Sequence, residues 1–301
     1  MTCAERVWDE GQPRVTDDLL GILDLEPLEI NRYRGRSVDP GWRRVFGGQV
    51  IGQALVAASR TVESTRLVHS LHGYFLRPGN PDASIDYAVE RIRDGGSFST
   101  RRVVAHQAGE AIFAMAASFH IEEAGFIHQA PMPAVPAPET LPDESALLAA
   151  LADRAPASAL AFWRKPRAIE IRPVDLEAFL GRSGAEQSQA SWIRARMVLP
   201  DDPAIVRAVL AYASDLTLLD TTLIAEGRWV FDAGLMVTSL DHAMWFHRPF
   251  RFDDWLLYVC DSPAASGARG FNRGALYDRT GRLIASVAQE GLVRQAREDH
   301  P

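Results

Sequence analysis

Apolar and polar residues alternate along two long stretches of this chain, and the second stretch repeats the first in altered form. Residues 65–119 reappear at residues 236–291, and the segment YFLRP at residues 74–78 is matched by WFHRP at residues 245–249. Alternation with a period of two is typical of β-strands that bury one face. We therefore predict an internal duplication that is rich in strands.

The first half predicts a helix followed by antiparallel strands. Residues 16–30 favour a short helix, capped by Thr16 or Asp17, that leads into the first strand. Residues 47–60 favour a longer helix, because apolar residues recur at helical spacing and the glycines allow close packing on a sheet. Strands follow over residues 67–121, separated by turns that contain glycine.

A proline-rich segment separates the two halves. Residues 125–145 carry five prolines, which exclude a central strand or a helix interior, so we interpret them as an extended linker. The PxxP spacing there also fits a partner-binding motif. Residues 146–163, which follow the linker, have helical character.

The second half repeats the order of a helix and then strands. Asp202 and Pro203 predict the start of the helix, because a carboxylate caps the first turn and proline fits its first position. Strands and a closing hairpin are predicted at residues 167–200, 235–246, 254–261 and 278–281. The chain thus divides into a first repeat with its lead-in (1–124), a linker and helix (125–166) and a second repeat (167–301), together of the α+β class.

The two repeats differ at two positions where only the second copy is polar. The strand face that carries Ala117 in the first copy carries Gln289 in the second, and Ser239 stands where the first copy has Val68. An unpartnered polar group on a buried face costs on the order of 1–3 kcal/mol. Either these side chains form a site, or they hydrogen-bond backbone groups of nearby loops.

A third polar residue, Asp215, lies at the edge of the apolar face of the second-half helix. Alone, such an aspartate is typical of a solvated residue or a local cap. Together with Ser239 and Gln289 it could hold one water, because a carboxylate takes a proton, a hydroxyl orients the oxygen, and an amide both donates and accepts. This set of groups favours hydrolysis by an activated water.

Composition narrows the choice of function. The net charge of −7 and the pI near 5.6 argue against a nucleic-acid partner, which requires a basic face. Cys3 and Cys260 provide no disulfide framework, and the N-terminus lacks a basic region followed by an apolar one. No apolar run is long enough to insert into a membrane. We expect a soluble cytoplasmic protein.

Motifs of other reaction types are absent from the sequence. There is no G-x-S-x-G elbow for a nucleophilic serine, and the glycines at residues 47–52 match neither a phosphate loop nor a dinucleotide fingerprint. His69 and His72 would face opposite sides of a strand, and no Cys/His cluster exists, so we expect neither a metal site nor a cofactor. The polar cluster at residues 241–248 is a candidate for structural roles or for contacts with a substrate phosphate.

Five segments carry recognisable motifs: VFGGQVIGQ at residues 45–53, HGYFLRP at 72–78, YASD at 212–215, DHAMWFHRP at 241–249 and AQEG at 288–291. In this order they resemble the acyl-CoA thioesterase II family of the TesB type. The resemblance extends over residues 16–294 and does not cover the residues before them. It implies a double hotdog fold, in which each half is an antiparallel sheet wrapped around a long helix.

The resemblance also implies an activity, the hydrolysis of fatty acyl-CoA to free fatty acid and CoA, with one site per chain. Members of the family use an Asp, a Ser or Thr, and a Gln to orient a water. On this sequence these fall at Asp215, Ser239 and Gln289, the residues that the repeat comparison singled out. Assembly into a homodimer or homotetramer is implied as well. For contacts with the substrate, three candidates are available: His72, His242 and Arg269.

Two other functions stay open. A hotdog enoyl-CoA hydratase would need an Asp and a His placed to add water across a double bond, and the expected D-x-N-P-x-H segment is absent. A non-catalytic acyl-CoA-binding module would fit the fold, but it gives no reason for Asp215, Ser239 and Gln289 to converge.

Overall fold

The computed structural model describes residues 18–38, 44–182 and 187–295, and the first half of the chain forms two helices and six strands within them. Helix α1 spans Leu19–Leu23 and α2 spans Gly47–Ser59. The strands are β1 (Glu26–Glu29), β2 (Arg32–Gly35), β3 (Leu67–Phe75), β4 (Ile85–Asp94), β5 (Phe98–Gln107) and β6 (Glu110–His120).

The connecting segment and the second half add five helices and seven strands in the same described residues. After a 3₁₀ turn at Pro138–Thr140 come the helices α3 (Glu144–Leu151), α4 (Ala157–Trp163), α5 (Leu176–Phe179), α6 (Pro203–Ser214) and α7 (Thr221–Ile224). The strands are β7 (Ile169–Pro173), β8 (Ser188–Ala195), β9 (Leu235–Ser239), β10 (Asp241–Phe246), β11 (Leu256–Ser266), β12 (Arg269–Asp278) and β13 (Leu283–Gln295). None of the helices within these ranges is long and apolar enough to cross a membrane.

The 13 strands form one antiparallel sheet in the order β1-β2-β4-β5-β6-β3-β10-β13-β12-β11-β8-β7, with β9 paired to β13 beside this path. The order is symmetric about the β3–β10 pair. Tyr74 lies opposite Asp241 and Ser70 opposite Trp245, and Tyr74 and Trp245 are equivalent positions of the repeat. A local two-fold axis therefore relates the halves, and the predicted α+β double hotdog is confirmed.

The long helices α2 and α6 pack against each other and against the sheet. A Cβ on Gly48 would lie 2.4 Å from the carbonyl oxygen of Tyr212, and one on Gly52 would lie 3.2 Å from that of Ala208. The approach at Gly48 leaves no space for a side chain, so these glycines allow close packing, but against the helix α6 and not against the sheet as predicted from the sequence. Because Gly48 lies beside Tyr212 and Gly52 beside Ala208, the helices run antiparallel, and the N-terminus of α2 meets the C-terminus of α6.

The first helix is shorter than the sequence predicted. From Glu26 onward the chain pairs as the β1–β2 hairpin, so only the first part of residues 16–30 is helical. The carboxylate of Asp18 caps α1 and accepts a hydrogen bond from Gly21 N–H at 2.9 Å. The predicted caps, Thr16 and Asp17, lie outside the described residues.

Two other predicted elements are each divided. Residues 146–163 are helical as predicted, but in two parts, because Pro156 is extended and separates α3 from α4. The single strand predicted at residues 235–246 is broken at Leu240. The part after the break, β10, pairs with β3 and β13, whereas the part before it, β9, pairs only with β13. This break places the end of β9 beside the C-terminus of α6.

Candidate active site

The three polar residues of the second half contact one another directly. Gln289 Nε2 donates to Asp215 Oδ1 at 2.6 Å and to Ser239 Oγ at 2.9 Å. Ser239 Oγ lies 3.5 Å from Asp215 Oδ1. Asp215 follows the last residue of α6, Ser239 ends β9, and Gln289 lies within β13. These contacts are between side chains, so the alternative in which Ser239 and Gln289 only serve loop backbone does not describe them.

The sheet register explains why the second copy alone can hold this cluster. Ser239 lies opposite Gly291, whereas the equivalent pair of the first copy is Val68 opposite Phe119. Gln289 lies two residues before Gly291, so it is on the same face of β13, and its side chain is fully buried. Replacing this apolar pair by Ser239 and Gly291, and Ala117 by Gln289, removes hydrophobic contacts and puts hydrogen-bonding groups in their place.

The N-terminus of α2 reaches Asp215 from the first half. The backbone N–H of Gly48 stabilises the Asp215 carboxylate and lowers its pKa. A Cβ on Gly47 would lie 2.6 Å from Asp215 Oδ2, so the close approach requires glycine there. Phe46, which precedes α2, offers no side-chain cap. The Asp215 carboxylate thus lies at the positive end of the helix dipole, and both halves contribute to the candidate site.

Burial sets the basicity of Asp215. Its side chain is only 4% exposed. Burial raises the pKa of Asp215 to about 6, while the hydrogen bonds from Gln289, from Gly48 N–H and from Ser239 act in the opposite direction. A carboxylate with a pKa near neutrality can accept a proton from water in the transition state and remain ionised at neutral pH.

His242 packs behind Asp215 as a neutral group. Its Nε2 lies 2.9 Å from Ser214 Oγ and its Nδ1 lies 3.8 Å from Asp215 Oδ1. Full burial lowers the pKa of His242 to about 3, so the ring carries no charge at neutral pH. Ser214 is itself fully buried and donates to the carbonyl oxygen of Ala211, so this serine does not face the solvent.

A cavity of about 620 Å³ lies against the cluster, and Asp215 and Ser239 form part of its wall. Both halves and the connecting segment contribute to it. Its lining is mostly apolar and aromatic, including Phe46, Phe75, Phe162, Trp163, Tyr212 and Phe231. Four basic residues also line it, namely Arg44, Arg77, Lys165 and Arg167.

Two of the three candidates for substrate contact lie elsewhere. His72 is exposed on the other face of β3, against the Trp245 ring at 5.1 Å. Arg269 begins β12 and pairs with Glu290 on the surface. Neither residue belongs to the cavity lining among the described residues. His242, the third candidate, touches the site only from behind Asp215.

Sequence reasoning missed several contributors to the site. Gly48, the second carboxyl Asp220 and three of the basic lining residues carry no signal in the repeat comparison, because they lie outside the matched segments. The fourth basic residue, Arg77, lies within a matched segment, but the second copy also has an arginine there, so the comparison does not single it out. Within the described ranges, no three His, Cys, Asp or Glu side chains are grouped closely enough to hold a metal ion.

Comparisons with known proteins match most of the chain to acyl-CoA thioesterases. The acyl-CoA thioesterase model matches residues 163–292, and the model of the acyl-CoA thioesterase N-terminal domain matches residues 38–120. Human acyl-coenzyme A thioesterase 8 is 42% identical over 281 residues, which cover 91% of this chain and 88% of that protein. Acyl-CoA thioesterase 2 of Haemophilus influenzae is 38% identical over 280 residues, covering 93% and 98%. The crystal structure of acyl-CoA thioesterase II TesB2 from Mycobacterium marinum has a TM-score of 0.76 at 43% identity and covers 93% of this chain and 98% of that one.

Proposed function

The chain belongs to the acyl-CoA thioesterase family, and we propose that it hydrolyses fatty acyl-CoA to free fatty acid and CoA by direct attack of a water held between Asp215, Ser239 and Gln289. The observation that carries this proposal is the mutual contact of these three side chains, two of which, Asp215 and Ser239, line a largely apolar cavity. The cavity offers an apolar surface for an acyl chain and a cluster of hydrogen-bonding groups for the chemistry.

Each of the three side chains has a separate task in this mechanism. Asp215 takes a proton from the water as its oxygen attacks the thioester carbonyl. Ser239 orients the water through its hydroxyl. Gln289 holds both neighbours with its Nε2, and its buried Oε1 has no hydrogen-bond partner among the described residues, which leaves it able to accept from the water. The N-terminus of α2 adds positive potential where negative charge develops on the carbonyl oxygen.

The ends of the substrate differ in chemistry, and the cavity lining differs accordingly. The rings of Phe162 and Phe231 lie 5.5 Å apart and those of Phe75 and Phe113 lie 5.0 Å apart, which suits an acyl chain. The guanidinium groups of the lining suit the phosphates of CoA, since a planar guanidinium binds phosphate with two hydrogen bonds. Assembly into a homodimer or homotetramer stays a prediction.

Release of free thiol from saturated acyl-CoA tests the function, because a hydratase or a non-catalytic binding module would release none. We expect Gln289→Ala to lower kcat by roughly 10²–10⁴-fold, since it removes both donors that fix the site. It should also shift the acid side of the pH profile upward, because the hydrogen bond from Gln289 lowers the pKa of Asp215. Steady-state kinetics across pH measure both effects.

The matched control is Gln53→Ala. Gln53 is equally buried, but it bonds Ile22, Arg36 and Tyr87 in the first half. That variant should lose stability without moving the acid side of the pH profile. If Gln289→Ala and Gln53→Ala behaved alike in the pH profile, a role for Gln289 at the water would be excluded.

Ser239 is expected to orient the water and not to become acylated. It ends a strand and lies beside no histidine within hydrogen-bond distance among the described residues, while His242 is bonded to the buried Ser214. Ser239→Thr should keep substantial activity because the hydroxyl survives, and Ser239→Ala should be partly active. Rapid-quench mass spectrometry during turnover provides the measurement. An acyl mass on Ser239 or on Ser214, or a burst of thiol equal to the enzyme concentration, would establish an acyl-enzyme instead.

A further inference from the structure

A second carboxyl lines the same cavity as Asp215. The segment from Asp215 to Asp220 leaves the C-terminus of α6 and forms part of the wall, with a carboxyl at each end. Leu216, Thr217 and Leu219 line the cavity between them. The mechanism proposed above uses Asp215 and leaves Asp220 without a role.

Asp220 differs from the other aspartates that precede helices. It immediately precedes α7, but its backbone is itself helical (φ −59°, ψ −28°), and its carboxyl does not cap the helix. Side-chain caps form where the backbone of that residue is not helical, most often extended, because the carboxyl then reaches the free N–H groups. Three other aspartates have this extended backbone and accept hydrogen bonds from the first turn of the following helix: Asp143, Asp175 and Asp202. Asp18 also caps its helix, with a backbone that is neither helical nor extended (φ −138°, ψ 35°).

The Asp220 side chain forms no hydrogen bond and no ion pair with any described residue, and the residue is partly exposed at the wall of the cavity. Burial raises the pKa of Asp220 to about 7, and the negative charge of Asp215 raises it as well. Cys260 on β11 is the other titratable group that interacts with it, and burial raises the pKa of that thiol, so it stays neutral. At pH 7 Asp215 is therefore mostly ionised, while Asp220 is protonated in about half of the molecules and holds its proton more tightly than Asp215 does.

We propose that Asp220 is the general acid that protonates the sulfur of CoA as the thioester bond breaks. This inference rests on the hydrolysis proposed above. It assigns opposite tasks to the two cavity carboxyls, because two acidic groups whose environments separate their proton affinities can serve as base and acid in one reaction. A protonated, unpaired carboxyl is free to donate, whereas the carboxyls that cap helices already accept hydrogen bonds from the backbone.

The proton balance closes over one turnover. Asp215 takes one proton from the water, and the hydroxyl adds to the carbonyl carbon. When the tetrahedral intermediate collapses, the C–S bond breaks, its electron pair goes to sulfur, and Asp220 delivers its proton there. The products are the free thiol and the carboxylic acid, which ionises into the solvent. Transfer of the proton from Asp215 to Asp220 then restores the starting state, in the direction that the order of their pKa values favours.

A pair of substrates with the same acyl chain and different leaving groups tests this role. The first is the thioester of N-acetylcysteamine, an alkyl thiol with a pKa near that of free cysteine, roughly 8.5 or above. The second is the thiophenyl ester, whose more acidic thiol leaves as the thiolate without a proton. Asp220→Asn should lower kcat/KM for the alkyl thioester by roughly 10²–10⁴-fold and leave the value for the aryl thioester little changed. Asp220→Glu, which retains a carboxyl, should restore part of the alkyl rate.

The pH profile provides a second readout that a purely structural role would not change. With the alkyl thioester, the wild-type profile should fall on the basic side as Asp220 ionises, and Asp220→Asn should lack that fall. Asp153→Asn, at an exposed aspartate away from the cavity, is the matched control and should behave as wild type. Equal loss on both substrates, or no loss on the alkyl thioester, would overturn the assignment. Failure of the hydrolysis proposal looks different, since Asp215→Asn would then remain active on both substrates.

Discussion

Asp215→Asn is expected to lower kcat for acyl-CoA by roughly 10²–10⁴-fold while the fold persists, because it keeps the shape of the side chain and removes the base. Asparagine fills the same space against Gly47, and α2 and α6 pack directly at Gly48 and Gly52, so the junction of the two helices should survive. In the wild type, kcat/KM should fall as the pH drops below about 6, where Asp215 takes up a proton. Initial rates and circular dichroism give the activity and the fold.

The same substitution should raise stability at neutral pH. The folded-state pKa of Asp215 lies above its ordinary value of 3.8, so the native state binds more protons than the unfolded state between about pH 4 and 6. The contribution of Asp215 to stability is therefore largest below pH 4 and is lost as the pH rises through about 6. The shift corresponds to roughly 3 kcal/mol at pH 8, which Asp215→Asn should recover in part.

Urea unfolding at pH 4 and pH 8 measures this difference, and Asp241→Asn is the matched control. Asp241 is a half-buried aspartate near the site whose carboxylate accepts from Glu290 N–H, and it does not line the cavity. That variant should keep its activity. Near-normal turnover by Asp215→Asn would remove Asp215 from the mechanism, and a stability gain at pH 4 equal to that at pH 8 would contradict the role of burial.

The first half should not fold alone. Expressed as residues 1–130, it lacks β10, so the backbone groups of β3 lie at a free sheet edge. It also lacks α6, whose contact covers the apolar surface of α2. We expect the fragment to aggregate or to pair with itself. Size-exclusion chromatography and urea unfolding report on this.

The geometry indicates which form of self-association to expect. His72 lies opposite Ala243, its own equivalent in the repeat, so the register of the β3–β10 pair is symmetric. A second copy of β3 could therefore occupy the place of β10. Co-expression with residues 131–301 should suppress this and yield a soluble complex. A soluble monomer of residues 1–130 that unfolds cooperatively would show that the halves are independent.

The fold and the three central residues of the candidate site could be predicted from the sequence alone, because both affect the spacing of apolar residues along the chain. Strands alternate and helices repeat every three to four residues, so the duplication and the order of elements could be predicted from local pattern. Gln289 and Ser239 were visible since each interrupts a face that the other copy keeps apolar. Their convergence with Asp215 followed from the resemblance to a known family, and the hydrogen bonds between the three agree with it.

Only the tertiary structure decided which groups surround that centre. Gly48 reaches Asp215 because α2 and α6 run antiparallel, and the wall of the cavity combines segments that are far apart in the chain. His72 has the chemistry of a site residue, yet its place in β3 turns it away from the cavity. Asp220 stands directly before a helix, where an aspartate ordinarily caps the first turn, but its own backbone is helical and its carboxyl does not cap α7. Contacts between distant segments and the direction of single side chains depend on how the elements pack, and no local periodicity encodes them.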